Sequence, residues 1–453
     1  MSNDNKREYV NSDPRRSALY AIERIDGGAF SNIIINDVIS KGAFTPADKA
    51  LFSTLTRGVT ERRITLDHII DSLSSLPPSK IDSDARNILR MGIYQLAFMD
   101  GIPNHAAVNE CVNLCRKRSK GFVNAILRNF IRGGCKYALP ADPIERLSVE
   151  CSASRELCER FVSIFGEERA RNILLSTFTP RTDLCTNTLK CTREELIESI
   201  RALGYSAEKG ELSPRAVRTD APFSVLEESL KGGFYVMDEA SQCSGEALGM
   251  VPGESLCDVC SAPGSKSFYA AISMENSGEI RSFDLHSSKI SLINKGAQRL
   301  GINIITAAEA DGTKPIPELF GKFDCVLCDV PCSGLGVIGG KPEIKYKSLE
   351  DFKRLPEIQR RILDNAKNYV KAGGRLVYST CTVLPEENEE NIKAFLADNP
   401  EFTLENITLS GNTFDGMITF TPDNGMTDGF FIARMRRIPS PLGKVRSPAT
   451  PTM

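Results

Sequence analysis

The chain has 453 residues, of which 41% are hydrophobic and 25% charged, with a formal net charge of −2. That length is too great for one compact core and predicts two or three domains of ordinary globular composition. No apolar run is long enough to span a bilayer and the polar N-terminus, MSNDNKREYVNSDPRRS, has no signal-peptide core, so a cytoplasmic protein is expected.

The near-neutral total hides an asymmetry. Residues 1–140 carry 20 Lys+Arg against 14 Asp+Glu, while the remainder carries 36 against 44. A basic front and an acidic rear point to a polyanion met by the front half, against the plainer reading of a solvated basic surface. Fourteen cysteines in a cytoplasmic chain are expected to be free, mostly as small buried hydrophobes. Cys257-x-x-Cys260 and Cys325-x-x-Cys328 have the spacing of metal-ligand pairs, but both lie in runs that read as strands, where residues three apart face opposite ways; no metal is expected. The three histidines offer little for a His-centred site.

From Pro14 to about Arg132 the pattern is helical, opened by Asp13 as N-cap with Pro14 in the first turn. Further helices are expected at 33–40, 46–58, 66–73, 83–99, 106–116 and 121–131. The run Leu89-Arg90-Met91-Gly92-Ile93-Tyr94-Gln95-Leu96, then Ile102-Pro103, Ala106 to Glu110 and Lys120 to Arg128, resembles the NusB-like helical RNA-binding domain. Arg116, Lys117, Arg118 and Lys120 form its densest basic cluster. Between 141 and 231, helices are expected at 145–165 and 192–203 and a strand at 184–189.

From Gly232 strands and helices alternate: strand Gly232–Met237, a helix from Glu239, then strands 256–260, 279–284, 302–307, 323–329 and 374–379 with helices between, and a hairpin from Ile418 to Met435. This predicts a parallel sheet covered on both faces, an α/β Rossmann-like domain over 232–437. The Pro- and Ser-rich tail, 438–453, is expected to be disordered.

Ser255 to Ala271, SLCDVCSAPGSKSFYAA, reads as strand, tight turn and helix N-terminus, an arrangement suited to a nucleotide-like cofactor. A P-loop and a dinucleotide fingerprint both need glycines that are absent here. A single nucleoside with a carboxylate end fits better, and S-adenosylmethionine is one. Asp284, twenty positions after Gly264, has the spacing for ribose hydroxyls; Asp311 suits the adenine amino group, and Asp329 ends the fourth strand. The next residues, Val330-Pro331-Cys332, and Thr380-Cys381 after the fifth strand bring two thiols to the same sheet edge. A thiolate can add to C6 of a pyrimidine and make C5 a carbon nucleophile, and a neighbouring aspartate can serve N3.

Cys260 to Lys266, Asp329 to Gly334, Thr380-Cys381 with Pro385-Glu386-Glu387-Asn388, and Asp428-Gly429-Phe430-Phe431 resemble the Nol/Nop/Sun family of RNA cytosine-5 methyltransferases. With the NusB-like front, they resemble its bacterial branch acting on 16S ribosomal RNA. The resemblance implies an all-α NusB-like domain over 1–140, a small α/β RNA-binding extension over 141–231 and a class I methyltransferase domain over 232–437. It implies Cys381 as nucleophile, Cys332 in product release and Asp329 beside the target base. Cofactor contacts fall to Cys260, Ser261, Ala262, Pro263, Gly264, Ser265, Lys266, Asp284, Asp311 and Asp329. The implied reaction is S-adenosylmethionine-dependent methylation of cytosine C5 in small-subunit ribosomal RNA by a monomer, with no metal and no membrane. Departures from the family pattern are Ser265 for a second glycine, Gly339-Gly340-Lys341 for an arginine-rich run, and Tyr346 for a tryptophan. An RNA-binding assembly factor that keeps the fold without the activity is the alternative.

Overall fold

The computed structural model describes residues 12–176, 182–424 and 427–439; the expected tail lies outside the described residues beyond 439. The chain divides into two compact units, Met1–Thr179 with Ile338–Asp351, and Pro180–Val337 with Phe352–Met453. Among the described residues no helix is long and apolar enough to cross a membrane.

The first unit is helical: α1 (Pro14–Asp26), α2 (Ser31–Lys41), α3 (Pro46–Glu61), α4 (Arg63–Leu73), α5 (Ser83–Phe98), α6 (Asn104–Leu114), α7 (Lys120–Arg132), α8 (Pro143–Cys151), α9 (Arg155–Phe165) and α10 (Glu167–Leu175). The Asp13 carboxylate accepts from Arg15 N and Arg16 N at 3.0 and 3.1 Å, starting α1 as its sequence predicts. Leu19, Ile22, Phe52, Leu55, Ile69, Ile88, Leu127 and Phe130 form the core between α1 and α7. The single helix expected over 145–165 is two. Ser152 turns left-handed at φ +49°, and Ser154 accepts from Leu157 N at 3.2 Å to start α9. The serines that end one helix and cap the next outweigh the unbroken apolar periodicity.

The second piece of this unit docks by polar contacts. Lys345 is completely buried, donating to the carbonyls of Cys151 (3.0 Å) and Glu61 (3.3 Å). The Tyr346 hydroxyl shares its proton between the Thr60 and Glu61 carbonyls and accepts from Arg63 N at 3.2 Å. Glu343 receives Ser31 N and Oγ at 3.0 and 2.8 Å, at the start of α2. Tyr346 therefore fixes backbone within the helical unit.

Burial lowers Lys345 from 10.5 to about 8. Below pH ~8 the cost of the buried ammonium is fully present. Between about 8 and 10.5 the unfolded chain keeps a proton the folded unit has released, so this residue makes stability rise with pH. Between the two ends of that range, the unfolding free energy read from urea melts should rise by about 3 kcal/mol more for wild type than for Lys345→Met.

The second unit begins with β1 (Thr182–Thr186), α11 (Arg193–Ala202), β2 (Ala207–Lys209), β3 (Ala216–Thr219), α12 (Phe223–Ser229) and β4 (Phe234–Val236). These strands form an antiparallel sheet ordered β2-β3-β1-β4. The strand expected to open the parallel sheet at Gly232–Met237 is β4, and it pairs antiparallel with β1, Cys185 opposite Tyr235. Its apolar run satisfies either sheet; pairing, not hydrophobicity, decides which.

Then follow α13 (Glu239–Ala247), β5 (Ser255–Asp258), α14 (Ser265–Ser273), β6 (Glu279–Asp284), α15 (Ser287–Leu300), β7 (Ile305–Glu309), β8 (Phe323–Asp329), α16 (Leu355–Ala366), β9 (Val370–Thr380), α17 (Glu389–Asp398), β10 (Phe402–Leu404), β11 (Ile407–Leu409), β12 (Asn412–Phe414), β13 (Met417–Phe420) and β14 (Phe430–Arg437). The main sheet runs β10-β14-β9-β8-β5-β6-β7, with β13 also on β14. β9, β8, β5, β6 and β7 are mutually parallel, and β14 joins β9 antiparallel. From β5 the chain moves outward to β6 and β7, then returns to place β8 on the other side. The carboxyl ends of β5 and β8 thus flank a topological switch point, where open α/β sheets bind ligands.

Cys325 and Cys328 sit in cores on opposite faces of this sheet, as strand alternation requires. Cys257 and Cys260 do not: both pack on one face, because β5 ends at Asp258 and Cys260 already belongs to the turn. All fourteen cysteines are free, and no group of three or more His, Cys, Asp or Glu among the described residues could hold a metal.

Candidate active site

The turn after β5 is built on Gly264, whose φ of +108° suits glycine alone, and a Cβ there would lie 2.6 Å from the Phe268 ring. Gly264→Ala should therefore cost about 1–3 kcal/mol, read as a lower thermal midpoint. Ser265 is the first residue of α14, in helical backbone open to any residue, so a second glycine is not required. The first intrahelical bond runs from Phe268 N to Gly264 O (2.8 Å), leaving the N–H groups of Ser265, Lys266 and Ser267 at the helix mouth, where a carboxylate is favoured.

Beneath the turn a buried hydroxyl chain ties its two arms together. Asp258 accepts from Ser267 Oγ at 2.7 Å, and Ser267 Oγ lies 3.1 Å from Ser261 Oγ and 2.8 Å from Ser282 Oγ. Burial, with the nearby Asp329 charge, lifts Asp258 to about 6. Asp284, at the end of β6, accepts from Ala262 N and His286 N, both at 3.2 Å, so it braces the turn, and Lys289 Nζ lies 3.5 Å from its Oδ1. Asp311 follows β7 and holds Thr313 N and Oγ1 at 3.0 and 2.7 Å, which lowers its pKa. Its neighbour Gly312 lies against Val259 O and Cys260 Sγ. Burial drives the Cys260 thiol well up, so it stays protonated.

Asp329 ends β8 and is fixed from two sides, by Lys266 Nζ and by Ser379 Oγ, both at 2.7 Å. Lys266 in turn lies 5.0 Å from the Phe430 ring centroid. Ser379 and Phe430 were not among the expected site residues. Ser379 lies opposite Asp329 in the β8–β9 register, a relation that spacing along one strand cannot reveal.

The two expected thiols meet. Cys332 Sγ and Cys381 Sγ are 3.2 Å apart, and Cys381 N donates to Cys332 Sγ at 3.3 Å. The sulfur–sulfur hydrogen bond, then burial, push Cys332 well above the ordinary thiol range. Either sulfur can donate to the other across this contact. Behind Cys381, Gly336 N donates to the Cys381 carbonyl (3.0 Å) and Gly429 N to the Gly336 carbonyl (2.8 Å). A Cβ on Gly336 would meet the Gly429 oxygen at 2.0 Å, so the closing Asp428-Gly429 motif presses backbone against the Cys332 loop.

The basic cluster of the helical unit is less bare than its sequence suggests. Arg116 pairs with Asp84 at 2.7 Å and Arg118 pairs with Asp82, so acidic residues at the start of α5 offset half of it.

A parallel sheet with a switch point, a nucleoside-type turn and carboxylates on successive strand ends defines a Rossmann-like methyltransferase domain. Residues 246–436 match the family described as 16S rRNA methyltransferase RsmB/F, and residues 12–132 match the NusB family. The probable ribosomal RNA small subunit methyltransferase B of Bacillus subtilis (strain 168) is 35% identical over 93% of this chain and 98% of its own length. Its counterpart from Synechocystis (strain ATCC 27184 / PCC 6803 / Kazusa) is 32% identical over 90% and 96%. The crystal structure of PH0851 superposes with a TM-score of 0.78 at 25% identity, covering 94% of this chain and 98% of that one. The chain belongs to the ribosomal RNA small subunit methyltransferase B family.

Proposed function

We propose that this protein methylates C5 of a cytosine in 16S ribosomal RNA, using S-adenosylmethionine and a covalent bond between Cys381 and C6 of the base. The carrying observation is the pair of thiols 3.2 Å apart beside Asp329. Support for the RNA comes from the printed names of the relatives and from the two families matched.

The chain's own residues divide the work. The Cys381 thiolate forms the S–C6 bond, and the C5=C6 electron pair shifts to C5 and the ring. Asp329, held as an acceptor by Lys266 and Ser379, takes the cytosine N4 amino group or holds a proton at N3 as charge reaches it. S-adenosylmethionine, when bound, supplies the methyl group to C5. The turn from Cys260 to Lys266 with Asp284, Asp311 and Asp329 fits it: free-facing helix N–H groups for a carboxylate, and carboxylates for ribose and adenine donors. The C5 proton passes to water as C5=C6 re-forms and the S–C6 bond breaks, its electron pair returning to Cys381 as thiolate, and Cys332, lying against that sulfur, assists release. The base must be unstacked to reach the thiols.

The helical unit and the small antiparallel sheet would hold RNA through phosphates and shape. A cytoplasmic setting, where thiols stay reduced, suits both the substrate and the free cysteines. Mapping 5-methylcytosine in small-subunit ribosomal RNA from cells with and without this protein tests the reading. One site should vanish in its absence, and an unchanged map would refute it.

A further inference from the structure

The segment Pro385-Glu386-Glu387-Asn388 has no part in the bond changes above, yet it grips both thiol-bearing loops. Glu387 Oε2 accepts from Ser333 N at 3.0 Å and from Gln359 Nε2 at 2.7 Å, and Gln359 also donates to Pro331 O at 3.0 Å. Both neighbours of Cys332 are therefore held. Asn388 does the same for Cys381: its Oδ1 accepts from Thr380 Oγ1 at 2.6 Å, and its Nδ2 donates to Thr382 O at 3.0 Å. The two loops are stitched directly by Ser333 Oγ and Thr382 Oγ1, 2.7 Å apart. Tyr378 OH fixes the grip itself through Glu387 O at 2.6 Å. The gripping side chains are buried, with Glu387 1% and Asn388 0% exposed. Glu387 Oε1 is buried with no hydrogen-bond partner among the described residues. A purely structural clamp would gain by replacing a half-satisfied carboxylate with an amide, which keeps one acceptor without burying a charge.

We propose that Glu387 and Asn388 are positioning residues that set the approach of Cys332 to Cys381, each gripping the residues on both sides of one cysteine. The proposal rests on the two-thiol reading of the site. Its geometric content, two sulfurs held in contact by one buried segment, can be tested separately. The negative charge of Glu387 also helps keep the hydrogen on Cys332. A displacement near 1 Å at a reacting group costs a reaction about 100-fold, which sets the scale expected.

The experiment uses the full-length protein with Glu387→Ala, Glu387→Gln and Thr382→Val, the last nearly isosteric and removing the stitch to Ser333 together with a 3.3 Å bond from Leu384 N. Two readouts are taken. In methylation of unmodified ribosomal RNA, Glu387→Ala should lower kcat about 100-fold with KM for RNA and affinity for S-adenosylmethionine held within about threefold. Glu387→Gln, which keeps an acceptor for Ser333 N, should recover to within about tenfold of wild type. The second readout needs no activity. Phenylarsine oxide is captured by two adjacent thiols, forming two As–S bonds and releasing water. Wild type should capture it, Cys332→Ala should not, and Glu387→Ala and Thr382→Val should capture it at least about tenfold more weakly.

Unchanged kcat and unchanged arsenical capture in Glu387→Ala would overturn the positioning role. So would loss of cofactor affinity in step with kcat and no rescue by Gln, the mark of general damage. If Glu387→Ala does not fold, Thr382→Val decides by the same readouts. A wild type that captures the arsenical in a Glu387-dependent way but methylates no cytosine would leave the positioning role standing and remove the proposed function instead.

Discussion

Cys381→Ala is expected to abolish methyl transfer, by about 10⁴-fold or more, and with it any denaturant-resistant protein–RNA adduct. Cys332→Ala should behave differently, accumulating that adduct because bond formation is intact while release is impaired. The asymmetry follows from the proposed division of labour, attack by Cys381 and release by Cys332, between two sulfurs already in contact. Electrophoresis of each variant after incubation with labelled RNA separates the outcomes. An adduct with Cys381→Ala and none with Cys332→Ala would exchange their roles, as in enzymes that use a Pro-Cys nucleophile. The loss of activity in the first variant should not come from unfolding, since Cys381 is only partly buried and borders the main core without filling it.

Asp329→Asn should lower kcat/KM by about 10²–10³-fold with the fold preserved. The amide retains the shape and can still receive Ser379, but it cannot pair with Lys266, and Lys266 is 9% exposed. Its ammonium would be left with the Phe430 ring as nearest named support. Titration calorimetry separates cofactor loss from chemistry. A kcat effect far exceeding the change in S-adenosylmethionine affinity assigns Asp329 mainly to the base. The reverse assigns it to the cofactor, and wild-type values in both would show that it does neither.

The parallel sheet and two of its strand ends were legible because their signals are local. β6 and β8 end at Asp284 and Asp329, where the sequence pattern places them, while β5 ends at Asp258 and β7 at Glu309, short of the expected site residues. Cys332 and Cys381, forty-nine residues apart, were brought together only by inferring that their strands are neighbours. Where the outcome depended on which partner a segment meets, sequence was silent. β4 is as apolar as a parallel strand and pairs elsewhere; β2 and β3, three and four residues long, carry too little pattern to read. Residues 145–165 keep helical periodicity across a break made by serine side chains. Glu387 and Asn388 were visible as part of a motif, but their proposed role lies in side-chain hydrogen bonds to four residues on three other segments. Lys345 gave no signal at all: nothing in its own stretch marks a lysine that ends fully buried.

That stretch has a bearing on how the protein is made. The helical unit is completed by Ile338–Asp351, which leaves the ribosome only after the strands bearing Asp284 and Asp329. Until then the Glu61 and Cys151 carbonyls lack the ammonium that joins them, and the start of α2 lacks Glu343. Folding during synthesis usually proceeds from the N-terminus, domain by domain. Here the first-made unit gains its last contacts only after most of the later one has been synthesised, and a fragment ending at Thr179 would lack those made by Glu343, Lys345 and Tyr346.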